Sequence, residues 1–244
     1  MEIGRRVLGL GAILLGGVGL AFGHASLGHQ PLREILAYVG DAVLVLGGIA
    51  INLRRPWAGC GAIMIACVFA VSVALQLPGL PRDWRIWVTW QDLAEPIAMG
   101  MGAVIAWRLL GREADARRML AARAAKLVFG LCLLVFGVSH FVYLKFTASL
   151  VPAWLPPSQT AWAYITGVAH IAAGLAILSG VMARQAAILL TAMFVGFGLL
   201  VHLPSIIRMP YSHDNWSENG VNLVLVGAAW CLADWLARAR ARAS

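Results

Sequence analysis

Apolar residues run along this chain in eight blocks of about 17 to 22 residues, separated by short polar or proline-bearing breaks. The blocks are Val7–Gly23, Leu36–Leu53, Trp57–Leu77, Trp90–Trp107, Leu127–Tyr143, Ala161–Met182, Gln185–Pro204 and Asn219–Leu236. None alternates polar and apolar positions with the period of two that a barrel strand requires. A run of roughly 20 apolar residues is the length of a helix that crosses a bilayer, and lipid excludes open sheet edges and exposed irregular backbone. The pattern therefore predicts an all-α integral membrane protein with eight transmembrane helices. Punctuation agrees with the breaks: Pro56 follows Arg54-Arg55, Pro78 and Pro81 close the third block, and Pro152, Pro156 and Pro157 precede the sixth. The N-terminus looks like a signal peptide, with Arg5 and Arg6 before an apolar stretch. Further spans follow it, so it is read as a retained first helix.

Composition points the same way. Of the 244 residues, 61% are hydrophobic and 12% are charged, about half the charged share of a typical soluble domain. The net charge of +8 lies in loops between apolar blocks, which makes it a topological signal and argues against nucleic-acid binding. Eight crossings put fourteen basic residues on one side, including the run Arg108–Lys126, and five on the other: Arg33, Arg82, Arg85, Lys145 and Arg208. The richer side is the cytoplasm, so both termini are predicted to be cytoplasmic. The Arg108–Lys126 run reads as a cytoplasmic connector that meets anionic lipid. An Arg-, Ala- and Gly-rich composition suggests a bacterial inner membrane. The four cysteines form no C-x-x-C pair and read as small buried hydrophobes.

The chain also repeats itself. At an offset of 126 residues Tyr38-Val39-Gly40 falls on Tyr164-Ile165-Thr166, Gly48 on Gly174, Leu77-Pro78 on Leu203-Pro204, Trp90 on Trp216 and Asp92 on Glu218. Four helices in each half is an even number, so the halves share one orientation, as two parallel four-helix-bundle repeats. The predicted division is residues 1–110, a basic connector over 111–126, and residues 127–244.

Polar groups at membrane depth are costly and are functional candidates by default. In the second half these are His140, His202 and Glu218 toward the outer side, and His170 near the bilayer middle. Trp154 and Trp216 are placed at the rim of the outer site. In the first half Asp41, Gln76, Asp92 and Glu95 are secondary candidates. His24, His29 and His213 fall in outer loops. His140, His202 and Glu218 end or begin helices on the same side and are expected to converge in one outer-facing cavity. Packing, interfacial anchoring or helix capping are open alternatives for each of them. No Walker loop, nucleotide-binding glycine loop or nucleophile elbow is present. The spacing of the histidines does not demand haem or a metal ion.

Gly137-Val-Ser-His140-Phe141, the loop Val151-Pro-Ala-Trp-Leu-Pro156, Tyr164 with Gly167, His202-Leu-Pro204, Trp216 with Glu218, and Val226-Gly-Ala-Ala-Trp230 together resemble the DoxX family. The resemblance covers about Leu127 to Leu236. The first half is a looser copy that lacks the proline-rich loop and the histidine of the first helix. The resemblance implies four-helix membrane units linked to quinone-dependent oxidation of sulfur compounds, thiol-stress complexes or receptor assembly. Its motif residues here are His140, Pro152, Trp154, Pro156, His202, Trp216 and Glu218. The leading expectation is thus a redox-associated subunit that binds a quinone or other lipid-soluble molecule near the outer leaflet and works with a partner redox protein. The alternatives are a non-catalytic assembly or chaperone partner, and a small transporter.

Overall fold

The computed structural model describes residues 2–23, 31–54, 56–112 and 114–240. Among them every regular element is helical and no strand occurs. Eight helices are long and apolar enough to cross a membrane: α1 (Ile3–Phe22), α2 (Pro31–Asn52), α3 (Trp57–Gln76), α4 (Trp87–Leu110), α5 (Ala116–Val142), α6 (Gln159–Ser179), α7 (Ala183–Phe197) and α8 (His213–Arg240). Short helical turns extend α3 through Asp83 and α7 through Arg208. His24, His29, Arg55 and Arg242 lie outside the described residues.

The largest departure from the predicted boundaries is at α5. Residues 116–126, expected as connector, are its first three turns. Asp115 caps them, its carboxylate accepting from the Arg118 backbone N–H at 3.1 Å. The sequence that follows, Ala-Arg-Arg-Met-Leu-Ala-Ala-Arg-Ala-Ala-Lys, consists of strong helix formers. Ser158 caps α6 in the same manner, and Gly180 ends that helix in the left-handed region at φ 83°. Cys60 and Cys67, expected to be buried, are exposed on α3, whereas Cys132 and Cys231 are buried. His213, expected in a loop, begins α8 and stands edge-on to Phe22, with ring centroids 6.0 Å apart.

Successive helices are neighbours, and α8 returns to pack along α1, so the eight form a ring. α4 and α8 also pack on each other across the middle. This divides the ring into two lobes with α4 and α8 as a shared wall. α1 packs chiefly on α2 and α8, and α5 on α4 and α6. Each half thus lends its first helix to the last helix of the other half. Small residues make this arrangement reachable. A Cβ added at Gly102 of α4 would collide with Ala228 of α8, and one at Gly227 of α8 would collide with the Leu8 backbone of α1. The core runs along this wall through Leu8, Ile105, Ala106, Phe129, Val224 and Leu232, all fully buried or nearly so.

Candidate functional site

The site grows from a glycine crossing of α5 and α6. A Cβ at Gly137 of α5 would stand 2.8 Å from the Gly167 carbonyl oxygen, and one at Gly167 would stand 2.9 Å from the His140 Cβ. Backbones this close bring together the imidazoles that follow each glycine by one turn, His140 from one side of the crossing and His170 from the other. The His140 and His170 ring centroids are 4.9 Å apart, with the planes tilted by 44°. Three phenylalanines wall the pair. Phe136 of α5 meets His170 edge-on at 6.0 Å, and Phe194 and Phe197 of α7 approach His170 at 5.7 and 6.0 Å. Phe197 also stacks on His140 at 6.5 Å. His170 is 2% exposed, while His140 keeps part of its surface open.

Hydrogen bonding fixes the tautomer of both rings. Nδ1 of His140 lies 2.9 Å from the Phe136 carbonyl oxygen, and Nδ1 of His170 lies 2.9 Å from that of Thr166. A carbonyl only accepts, so each Nδ1 carries a proton and donates it. Nε2 of each neutral ring is then a lone-pair acceptor. Neither Nε2 has a hydrogen-bond partner among the described residues. The arrangement is a pair of acceptors inside an aromatic wall, which suits a ligand that brings hydrogen-bond donors and a flat apolar body.

A separate polar chain joins α4 to α5 at Ser139, the residue before His140. Trp87 Nε1 donates to Ser139 Oγ at 2.8 Å, and Ser139 Oγ stands 2.7 Å from Gln91 Oε1 as donor. Gln91 Nε2 in turn donates to Glu95 Oε1 at 2.8 Å. The Tyr143 hydroxyl accepts from the Val88 N–H at 3.0 Å. These bonds join α4 to α5 beside His140. Glu95 also feels the charges of Glu218 on α8 and Asp92 on its own helix.

His140 and His170, predicted at different depths, are thus the two candidates that meet directly. His202 makes no hydrogen bond and no ring contact among the described residues. It closes a π-turn, Gly198–His202, that begins directly after Phe197, and such turns recur at functional sites. Buried Asn222 of α8 donates to the Phe194 carbonyl oxygen at 3.0 Å and holds α7 just before this turn. Glu218 is exposed at the mouth of α8. Its electrostatic neighbours are Asp214, Asp92 and Glu95. Trp154 is 72% exposed in the loop before α6, and Trp216 is tied by its Nε1 to the Pro210 carbonyl oxygen at 2.8 Å. Gln76 and Asp92 line a separate pocket of about 560 Å³ with Arg33 and Arg82. Asp41 packs against Gly19 of α1.

Sequence reasoning passed over Phe136, Phe194, Phe197, Ser139 and Gln91. Phe136 lies one helical turn before His140, and Phe194 and Phe197 are three apart. Those spacings put each on the face of its neighbour, but a phenylalanine in an apolar block carries no signal of its own. Among the described residues no group of three or more His, Cys, Asp or Glu is placed to hold a metal ion.

Residues 129–237 match the model of a family described as a domain of unknown function, DUF8561. No curated protein matches the chain. No solved structure matches it.

Proposed function

We propose that this chain is a DoxX-like protein of a bacterial inner membrane that binds a quinone-class, lipid-soluble molecule at the His140–His170 pair, as a subunit serving a partner redox protein. The observation that carries the reading is the pair itself: two imidazoles fixed as acceptors, 4.9 Å apart and walled by three phenylalanines. A reduced quinone carries two phenolic O–H donors on a flat ring, and neutral imidazole is also a competent proton acceptor beside it. Gln91, Ser139 and Glu95 form a polar chain that begins at the residue before His140. The test is direct. The protein purified in nanodiscs is extracted and its lipids are analysed for a quinone, and binding of a short-chain hydroquinone is measured by calorimetry. A quinone retained in near-stoichiometric amount, or saturable hydroquinone binding, is the expected result. An empty protein that binds neither redox form would refute the proposal.

Eight crossings with both termini cytoplasmic form part of this reading. Exposed apolar side chains ring the bundle, among them Leu46, Val168, Leu189 and Leu199 at 57%, 58%, 70% and 60% exposure, far more apolar surface than water tolerates. Single cysteines placed at Pro81, Pro156 and His213 in a cysteine-free background are expected to label from outside the cell. One at Arg117 is expected to label only after permeabilisation. External labelling at Arg117 would overturn the arrangement.

The parallel repeat also draws support from packing. Advancing every helix by four positions maps the ring of neighbours, and the α4–α8 wall, onto itself. Trp90 and Trp216 each donate Nε1 to the carbonyl six residues back, Trp84 and Pro210, at 2.9 and 2.8 Å. The first helices follow a different offset, 121, because α1 crosses α2 at Gly9 and Gly48 where α5 crosses α6 at Gly130 and Gly174. In this register Gly19 stands where His140 stands, and Asp41 where Gly167 stands. The bulky polar side chain has moved from α2 in one lobe to α5 in the other, and the second lobe alone holds the imidazole pair.

A further inference from the structure

At the other end of α5 lies a second pocket, of about 470 Å³, lined by Arg123, Lys126, Leu127, Trp235 and Leu236 among others. We infer that this groove between α5 and α8 binds the headgroup of an anionic phospholipid. Among the described residues two cations and an indole line it, and no carboxylate does. Arg123 and Lys126 form no ion pair or hydrogen bond among the described residues, and Trp235, 7% exposed, lines the groove beside them. Two cations without an acceptor define a site for an anion.

Depth identifies the anion as lipid, given the membrane reading above. α5 has 27 residues, about 40 Å at 1.5 Å per residue, against a hydrocarbon thickness of roughly 30 Å. Counting that thickness back from Val142 reaches the turn that holds Arg123. Arg123 therefore stands at the edge of the hydrocarbon layer and Lys126 about one turn inside it, from where both long side chains reach up to lipid phosphates on the basic side of the bundle. Leu127, 45% exposed, and Leu236 supply an apolar wall below them for an acyl chain. A soluble phosphate would gain nothing from that wall, whereas a phospholipid uses both parts.

Native mass spectrometry of the detergent-solubilised protein titrated with phosphatidylglycerol or phosphatidylcholine tests this. The expected result is an adduct with phosphatidylglycerol at about tenfold lower lipid concentration than with phosphatidylcholine. Arg123→Gln with Lys126→Gln should bring the two lipids within about twofold. Leu236→Trp, which fills the groove and keeps both charges, should also lose the phosphatidylglycerol adduct and covers the case in which the double variant does not fold. No headgroup preference in the wild type, or retention of the adduct in either variant, overturns the inference. Displacement of the lipid by an equal concentration of glycerol phosphate also overturns it, by assigning the groove to a soluble phosphate.

Discussion

Replacing His170 by Leu is expected to weaken hydroquinone binding by about ten- to a hundredfold while leaving the protein at least as stable as the wild type. The two effects have one cause. His170 is 2% exposed, and its Nε2 has no hydrogen-bond partner among the described residues. Packing the imidazole among phenylalanines strips most of the water from that nitrogen at a cost of up to about 1–3 kcal/mol, and a ligand hydroxyl that bonds it recovers a similar amount. Leucine, close to imidazole in bulk, removes the cost together with the interaction. The Thr166 carbonyl that loses the Nδ1 donor lies within α6, where the helix ladder still supplies a donor. A structural imidazole would behave in the opposite way, because its loss would lower the unfolding temperature and leave binding intact. The same lone pairs predict redox selectivity. A quinone carbonyl only accepts, so the oxidised ligand should bind about tenfold more weakly than the hydroquinone. Calorimetric titration of both redox forms into wild type and His170→Leu, with thermal unfolding alongside, separates the cases. Unchanged binding in the variant removes His170 from the site. A fall of more than about 5 °C in Tm would make it a packing residue, since 1 kcal/mol corresponds to about 2–4 °C at this chain length.

Gly102→Leu is expected to abolish the folded protein. Gly102 faces Ala228 where α4 and α8 cross, and even a methyl group there would collide with the Ala228 side chain. α4 and α8 are the two most deeply buried helices and the wall shared by both lobes, so neither can retreat without opening the other lobe. Gly102→Ala should cost about 1–3 kcal/mol by overpacking. Ala228→Gly on the facing helix should restore part of that loss, although a glycine within a helix costs about 1 kcal/mol by itself. Gly17→Leu and Gly196→Leu meet open space within 4 Å and should leave stability nearly unchanged. Thermal unfolding by light scattering or intrinsic fluorescence reads these variants and the Gly102→Ala/Ala228→Gly double variant. Strict additivity of Gly102→Ala and Ala228→Gly would mean that the two positions do not touch.

The eight apolar blocks were legible because a helix long and apolar enough to cross a membrane needs no particular partner. Its length and composition alone satisfy the backbone, and this is why each expected segment reappears as a helix at nearly its predicted place. The start of α5 was misplaced because hydropathy marks where an apolar stretch begins and not where a helix does. The Asp115 cap and the alanine-rich sequence behind it decide where the helix begins, and they extend it well beyond the apolar block. Histidines and carboxylates stood out in a chain so poor in polar groups, so the candidates were drawn from them, the leading ones in the second half. Their grouping was beyond reach of the linear pattern. His140 meets His170 because Gly137 and Gly167 let two backbones approach, and in an apolar block a glycine that permits such an approach looks the same as one that does not. Phe136, Phe194 and Phe197 became part of the site only once α7 packed beside α6. The exchange of first helices between halves is likewise a property of the assembled ring. Each half carries apolar surface on every face, and only the fit of Gly102 to Ala228 and of Gly227 to Leu8 selects which helix covers which.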